Sequence, residues 1–213
     1  MTVPRLVYPA EGATLVGIRP RNDRVRALMR GLAGARGVRF LSHVWIDPRR
    51  APLPAGVLDE AAASAQKPGR GGVGTALKRA VLRGQYNWSH RHLPPDPPLV
   101  VACWNGLKGH RRLAMEAARR NGHATLFLEE APLPGRITAD LAGVNAASSL
   151  PRLPDFYRRW LAGRPDLDPG AWRGIRDDLA PRQAAKRADV HQRAGGGELA
   201  AQPYVFCPLQ VPG

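Results

Sequence analysis

Cysteine is nearly missing: Cys103 and Cys207 are the only two in 213 residues, and neither sits in a CxxC or Cys/His spacing. That pattern excludes a disulfide framework and argues against a zinc-type centre. Both lie in apolar, strand-like runs and read as buried free thiols. Lysine is almost as scarce, with Lys67, Lys78, Lys108 and Lys186 alone against a large arginine complement. No apolar run is long enough to span a bilayer, and no charged segment leads into an apolar one as in a signal peptide, so the sequence reads as cytoplasmic. A Walker loop, a GxGxxG fingerprint and a G-x-S-x-G elbow are all lacking, as are RNP, KH, helix-turn-helix and zinc-finger patterns. Hydrolase and standard nucleic-acid-binding readings therefore have no motif to rest on.

What the chain has in quantity is positive charge. The formal net charge is +15, and 44% of residues are hydrophobic, enough for one large or two small domains. Guanidinium forks grip phosphates and carboxylates in bidentate fashion, so an anionic partner fits: nucleic acid, acidic lipid headgroups or a sugar nucleotide. A solvated, arginine-biased surface fits equally well. Trp45, Trp88, Trp104, Trp160 and Trp172 are scattered among the basic residues, most densely in Tyr86-Asn-Trp-Ser-His-Arg-His92. Such interleaving can stack bases, but packing is the simpler role, and no nucleic-acid partner is expected.

Hydrophobic patterning predicts an alternation of strands and helices. Strands are expected over 13–18, 37–46, 99–103 and 124–128, and helices over 23–32, 73–82 and 107–120. Residues 47–72 read as loop with a helical turn near 58–65. Further helices are expected over 155–161 and 171–191, and a last strand over 203–210. The order is that of an open, mostly parallel, Rossmann-like α/β sheet with flanking helices and right-handed crossovers. Residues 1–163 would form this domain, with 164–213 a helical segment and final strand.

In open α/β sheets ligands collect outside the carboxyl ends of strands. Glu129 and Glu130 close the apolar run Ala124-Thr-Leu-Phe-Leu128. One of them can act as general base or hold sugar hydroxyls, since only one of two neighbours faces a given side; a solvated strand end or an arginine pair is the alternative. Asn145, Ser148 and Ser149 come next in a loop and can hydrogen-bond a polyol or phosphate, or simply form turns and caps. Trp104-Asn-Gly-Leu-Lys-Gly-His110 joins a strand to a helix, where free amides with Lys108 and His110 can cradle an anion.

Glu129-Glu130 and Gly143-Val-Asn-Ala-Ala-Ser-Ser-Leu-Pro-Arg-Leu-Pro-Asp-Phe-Tyr157 resemble the bacterial capsule polysaccharide biosynthesis and export family. The likeness is to KpsS-type members, related to the KpsC-type Kdo glycosyltransferases, and covers about 99–157 and the last few residues. In this chain Glu-Glu-Ala with Pro132-Leu-Pro134 stands where members have Glu-Glu-Gly or Glu-Asp-Gly and a Leu-Arg pair, with Arg136 as approximate substitute. The resemblance implies the N-terminal, acceptor-side half of a GT-B-like transferase that adds sugar from CMP-Kdo to a lipid or glycolipid acceptor. It implies Glu129 or Glu130 as site carboxylate, and Asn145, Ser148 and Arg152 shaping the acceptor pocket. Gln210 would open a Q-x-x-x-D motif whose aspartate would follow Gly213, and the donor half would lie beyond, so this piece would not turn over alone. It further implies a peripheral site on the inner face of the cytoplasmic membrane, where arginines meet anionic lipid, and contact with other capsule assembly proteins. A non-catalytic export or assembly component and a basic nucleic-acid binder are the rival readings.

Overall fold

Leu99–Trp104 is apolar along almost its whole length, and a strand apolar on both faces must be covered on both. The computed structural model of the chain places it at the centre of a five-stranded sheet. The structure describes residues 9–20, 22–65, 71–131 and 136–168, with 170, 173, 174 and 177; the fold lies within the compact unit that runs to Asp168. The elements are β1 (Thr14–Ile18), α1 (Asp23–Ala33), β2 (Val38–Leu41), α2 (Val57–Ala63), α3 (Gly71–His92), β3 (Leu99–Trp104), α4 (Gly109–Arg120), β4 (Ala124–Glu130), β5 (Ile137–Asp140), α5 (Ser149–Arg152) and α6 (Pro154–Ala162).

The sheet order is β2-β1-β3-β4-β5. The first four strands are parallel, and β5 runs antiparallel to β4 with Glu129 opposite Thr138 and Glu130 opposite Ile137. This is an open, mostly parallel, Rossmann-like α/β sheet, as the sequence pattern requires. Side chains alternate across it. Leu15, Ala102 and Leu128 pack with Val25, Met29 and Ala33 of α1 on one face. Val16, Ile18, Val101, Cys103 and Phe127 pack with Ala114, Met115 and Ala118 of α4 on the other. A third layer lies outside α4, where Ala61 of α2 and Leu82 and Tyr86 of α3 meet Leu113 and Ala117. Two glycines are demanded by this packing: a Cβ at Gly17 would meet Met29 Sδ and the Phe40 ring at 2.7 Å, and one at Gly106 would meet the Phe127 ring at 2.8 Å.

Several expectations need correction. The helix expected over 73–82 is α3, and it continues to His92. Its stripe Leu82, Tyr86, Ser89, with Leu93 beyond, is buried at helical spacing, and the Tyr86–His92 segment is part of that helix. Trp88 is stacked on His92 with ring centroids 3.9 Å apart. The strand expected over 37–46 stops at Leu41. Beyond it, side chains hold the backbone in place of a ladder: buried Asn87 donates to the Asp47 carbonyl and accepts from the Ala51 amide, and Asp47 pairs with Arg49 and Arg91. β4 runs through both glutamates, and β5 lies in a stretch expected to be loop. The segment 155–161 is helical as expected, with Pro154 at the first turn of α6. The helix and strand expected at 171–191 and 203–210, with Cys207, lie outside the described residues. Cys103 is a buried free thiol, its pKa pushed up to about 12 by burial. No described helix is long and apolar enough to cross a membrane.

Candidate functional site

The chain order β2-β1-β3 reverses direction between β1 and β3, and a crevice opens at the carboxyl ends of strands where neighbouring connections leave to opposite sides. The backbone is unusual there. Three described non-glycine residues have left-handed φ, and two of them end these adjacent strands: Arg19 at 37° and Asn105 at 60°. Strain of this kind persists where the surroundings fix it, and it gathers at functional sites. Asn105 tolerates the region well; its amide donates to the Leu128 carbonyl at 2.8 Å, tying the loop after β3 to β4.

Glu129 projects on the same face as Phe127, towards that loop. Its Oε2 accepts a 2.7 Å hydrogen bond from Asn105 Nδ2. Burial raises its pKa above the usual carboxylate value; the Glu130 backbone N–H opposes this, the Glu130 charge adds to it, and the Asn105 hydrogen bond and the Lys108 charge pull the other way. Glu130, one residue on, faces the opposite side and is exposed. Of the two carboxylates, only Glu129 is positioned by its surroundings. Neither residue lines the hollow of about 610 Å³ at the start of α3, which is bordered by Gly71, Gly72, Thr75, Ala76 and Arg79.

On the β1 side of Asn105, His110 occupies the second position of α4. Arg19 Nη1 donates to its Nε2 across 3.3 Å, which places the ring proton on Nδ1. Burial lowers the His110 pKa to about 4, helped by repulsion from Arg19, Arg111 and Lys78; the imidazole is neutral over the ordinary pH range. Lys108 precedes α4 and is exposed. The strand-to-helix connection thus sits where the sequence places an anion cradle, although Gly106 is required for contact with Phe127 and Met115 and the Gly109 amide is engaged by Ser64 Oγ at 3.4 Å.

The remaining candidates are not brought to this edge. Because β5 runs back along β4, the chain leaves the carboxyl ends: Thr125 Oγ1 donates to the Leu141 carbonyl and Arg119 to that of Ala142. Asn145 begins a turn there, exposed and with φ at 53°; Ser148 precedes α5; Arg152 donates to the Ala147 carbonyl at 3.3 Å. Their segment is organised by Asp140. Its Oδ1 accepts from the Ala142 and Gly143 amides at 2.7 and 3.1 Å, and its Oδ2 from the Ser149 amide at 2.9 Å and the Ser149 hydroxyl at 2.5 Å. That hydroxyl also meets Tyr157 Oη at 2.5 Å. A Cβ at Gly143 would lie 2.6 Å from the Ala147 carbonyl. Asp140 and Tyr157 thus hold the buried Ser149. Arg136 starts the return to β5, its carbonyl accepting from the Ala131 amide, with its side chain exposed. Gln210 lies outside the described residues. Sequence reasoning passed over Arg19 and Asn105; the Asn-Gly directly after β3 was the available signal for the second, and no spacing connects Arg19 with His110. Among the described residues no cluster of His, Cys, Asp and Glu could hold a metal.

No protein-family model matches the chain, and no solved structure matches it. Protein FixF of Sinorhizobium fredii (strain NBRC 101917 / NGR234) is 30% identical over 128 residues, which is 60% of this chain and 26% of FixF. The chain spans about a quarter of the length of that curated relative.

Proposed function

We propose that this chain is the acceptor-side half of a GT-B-like, Kdo-type glycosyltransferase of capsule polysaccharide biosynthesis, acting with a CMP-activated donor on a lipid or glycolipid acceptor. The observation that carries the reading is Glu129 at the carboxyl end of β4, half-desolvated and oriented by Asn105. A carboxylate so placed accepts the hydrogen bond of a sugar hydroxyl and, with its pKa raised, takes the proton as that hydroxyl attacks. The Rossmann-like sheet and the likeness of 143–157 to capsule proteins support the same reading. In this scheme 143–157 supports the lobe and does not touch the acceptor, and Glu130 has no chemical part. The arginine surplus supports a peripheral position on anionic lipid.

The test is made in a two-lobed capsule transferase. Glutamine at the position matching Glu129 lowers transfer from CMP-Kdo by about 100-fold or more, and glutamine at the position matching Glu130 leaves it nearly unchanged. Equal, undiminished rates in both variants would remove the carboxylate from the mechanism.

A second reading, a non-catalytic export or assembly component, is favoured by α6, where Phe156, Trp160 and Leu161 are all exposed and no residue is buried. Exposed aromatics on one short helix suit a protein partner. A capsule-assembly protein captured by the wild-type chain and lost on Trp160→Ala, with transfer unaffected by either glutamate change, would favour it.

A further inference from the structure

The two edges of the sheet are finished differently. β2 carries Arg39, and Arg26 and Arg30 of α1 lay their guanidinium groups over Phe40, 5.2 and 5.5 Å from the ring centre. Charge and long side chains of this kind keep a foreign strand away. β5, at the other edge, has no such protection. Ile137, Thr138 and Ala139 are all exposed, and neither proline nor a basic residue stands within the strand. Among the described residues none hydrogen-bonds to its outer side.

In an antiparallel pair, residues that exchange backbone hydrogen bonds alternate with residues that do not. The Ala131 amide donates to the Arg136 carbonyl, and Glu129 stands opposite Thr138. The positions of β5 bonded to β4 are therefore Arg136, Thr138 and Asp140, and Ile137 and Ala139 turn their N–H and C=O outwards. Free backbone groups on an apolar edge accept another strand. The residues of the edge say which strand fits. Arg136-Ile-Thr-Ala-Asp140 runs positive, apolar, threonine, apolar, negative. Set antiparallel against a copy of itself, with Thr138 opposite Thr138, Ile137 of each copy exchanges both bonds with Ala139 of the other. Arg136 then faces the Asp140 carboxylate at both ends. Threonine pairs and opposite charges directly across two strands are favourable. No other register bonds both outward residues within the strand.

We propose that β5 is a self-pairing edge: two copies of the chain join β5 to β5, antiparallel, about a two-fold axis, so that their five-stranded sheets become one. The axis passes through the Thr138 pair, perpendicular to the sheet. Thr138 lies opposite Glu129 and on its face, so both Glu129 side chains stand on one face of the joined sheet, three strand spacings or about 14 Å apart. Four backbone bonds on a short strand make a small contact, and the dimer is weak and reversible.

Sedimentation equilibrium of the full chain, over about 1–500 μM, shows the mass rising from monomer to dimer. Ala139→Pro removes an outward N–H and leaves the ladder to β4 intact. Arg136→Glu, on an exposed side chain, sets like charges opposite each other and keeps the test open should the proline variant unfold. Each weakens the dimer about tenfold or more, and Arg158→Gln on α6 leaves it unchanged. Mild oxidation of Thr138→Cys links two chains through position 138, located by mass spectrometry of the digest, because non-bonded antiparallel pairs bring their Cβ atoms close to disulfide distance. A chain that stays monomeric across the range, leaving the edge to a strand of another protein, overturns the proposal. So does a dimer that both Ala139→Pro and Arg136→Glu leave intact, with no link through position 138.

Discussion

Asn105, directly after β3, and Glu129, near the end of the neighbouring parallel strand β4, are joined, Nδ2 to Oε2, across 2.7 Å. The bond exists because Asn105 adopts a left-handed backbone that turns its amide side chain back over β4 while its own N–H binds the Leu128 carbonyl. Glycine holds the same φ without the side chain. Asn105→Gly therefore keeps the loop and removes a donor that favours the charged carboxylate, and the Glu129 pKa rises further. Carboxyl-carbon NMR titration of the wild type and the variant measures this directly.

Asp140 should matter more for stability than for chemistry. It accepts four hydrogen bonds that close the turn after β5 and fix Ser149. Asp140→Ala leaves these donors unsatisfied and costs about 2–4 kcal/mol, and Ser149→Ala about 1–2 kcal/mol, read as shifts in denaturant midpoint. Arg158→Gln, removing a surface pair with Asp155, stays within about 0.5 kcal/mol.

Two glycine substitutions should move stability in opposite directions. A Cβ at Gly106 meets Phe127 at 2.8 Å and Met115 at 3.1 Å, so Gly106→Ala destabilises by about 1–3 kcal/mol through overpacking. Gly31 lies inside α1 with nothing within 4 Å of the added methyl, so Gly31→Ala stabilises by about 0.5–1 kcal/mol. Thermal melts of the two variants compare the signs.

His110 makes stability fall in mild acid. Its folded pKa of about 4 lies below the value of 6.5 for an unperturbed histidine. Between those limits the unfolded chain binds the extra proton and the folded one does not, so unfolding is favoured as pH drops through the window. The loss is about 1–3 kcal/mol after screening, complete near pH 4. Denaturation of the wild type and His110→Gln from pH 7 to pH 4 should show a steeper decline in the wild type. Glu129, with its raised pKa, works in the opposite sense over its own titration range.

Much of this architecture was legible because a doubly covered sheet writes itself in apolar runs. Leu99–Trp104 has no polar face to blur it and Ala124–Leu128 carries only Thr125; Asp23 marks the start of α1, although the cap is the preceding Asn22, whose side chain accepts from the Val25 amide. The length of α3 was hidden by Gly84 and by the histidines and tryptophan at its end, which look like a surface strip until Tyr86 is seen buried against α4. The four residues of β5 carry too little pattern to separate from turn. The site was half legible. A carboxylate after an apolar run points to a strand end whatever the fold, but Arg19 and His110, 91 residues apart, come together only through the β1/β3 crossover. The residues most specific in the chain's likeness to capsule proteins, 143–157, follow antiparallel β5, which carries them away from the edge that holds Glu129.

The most direct check is the affinity of the chain for a glycolipid acceptor, measured by calorimetry on the wild type, Glu129→Gln and Glu130→Gln. The account predicts binding about tenfold weaker for Glu129→Gln and unchanged for Glu130→Gln. Wild-type affinity in Glu129→Gln would contradict it.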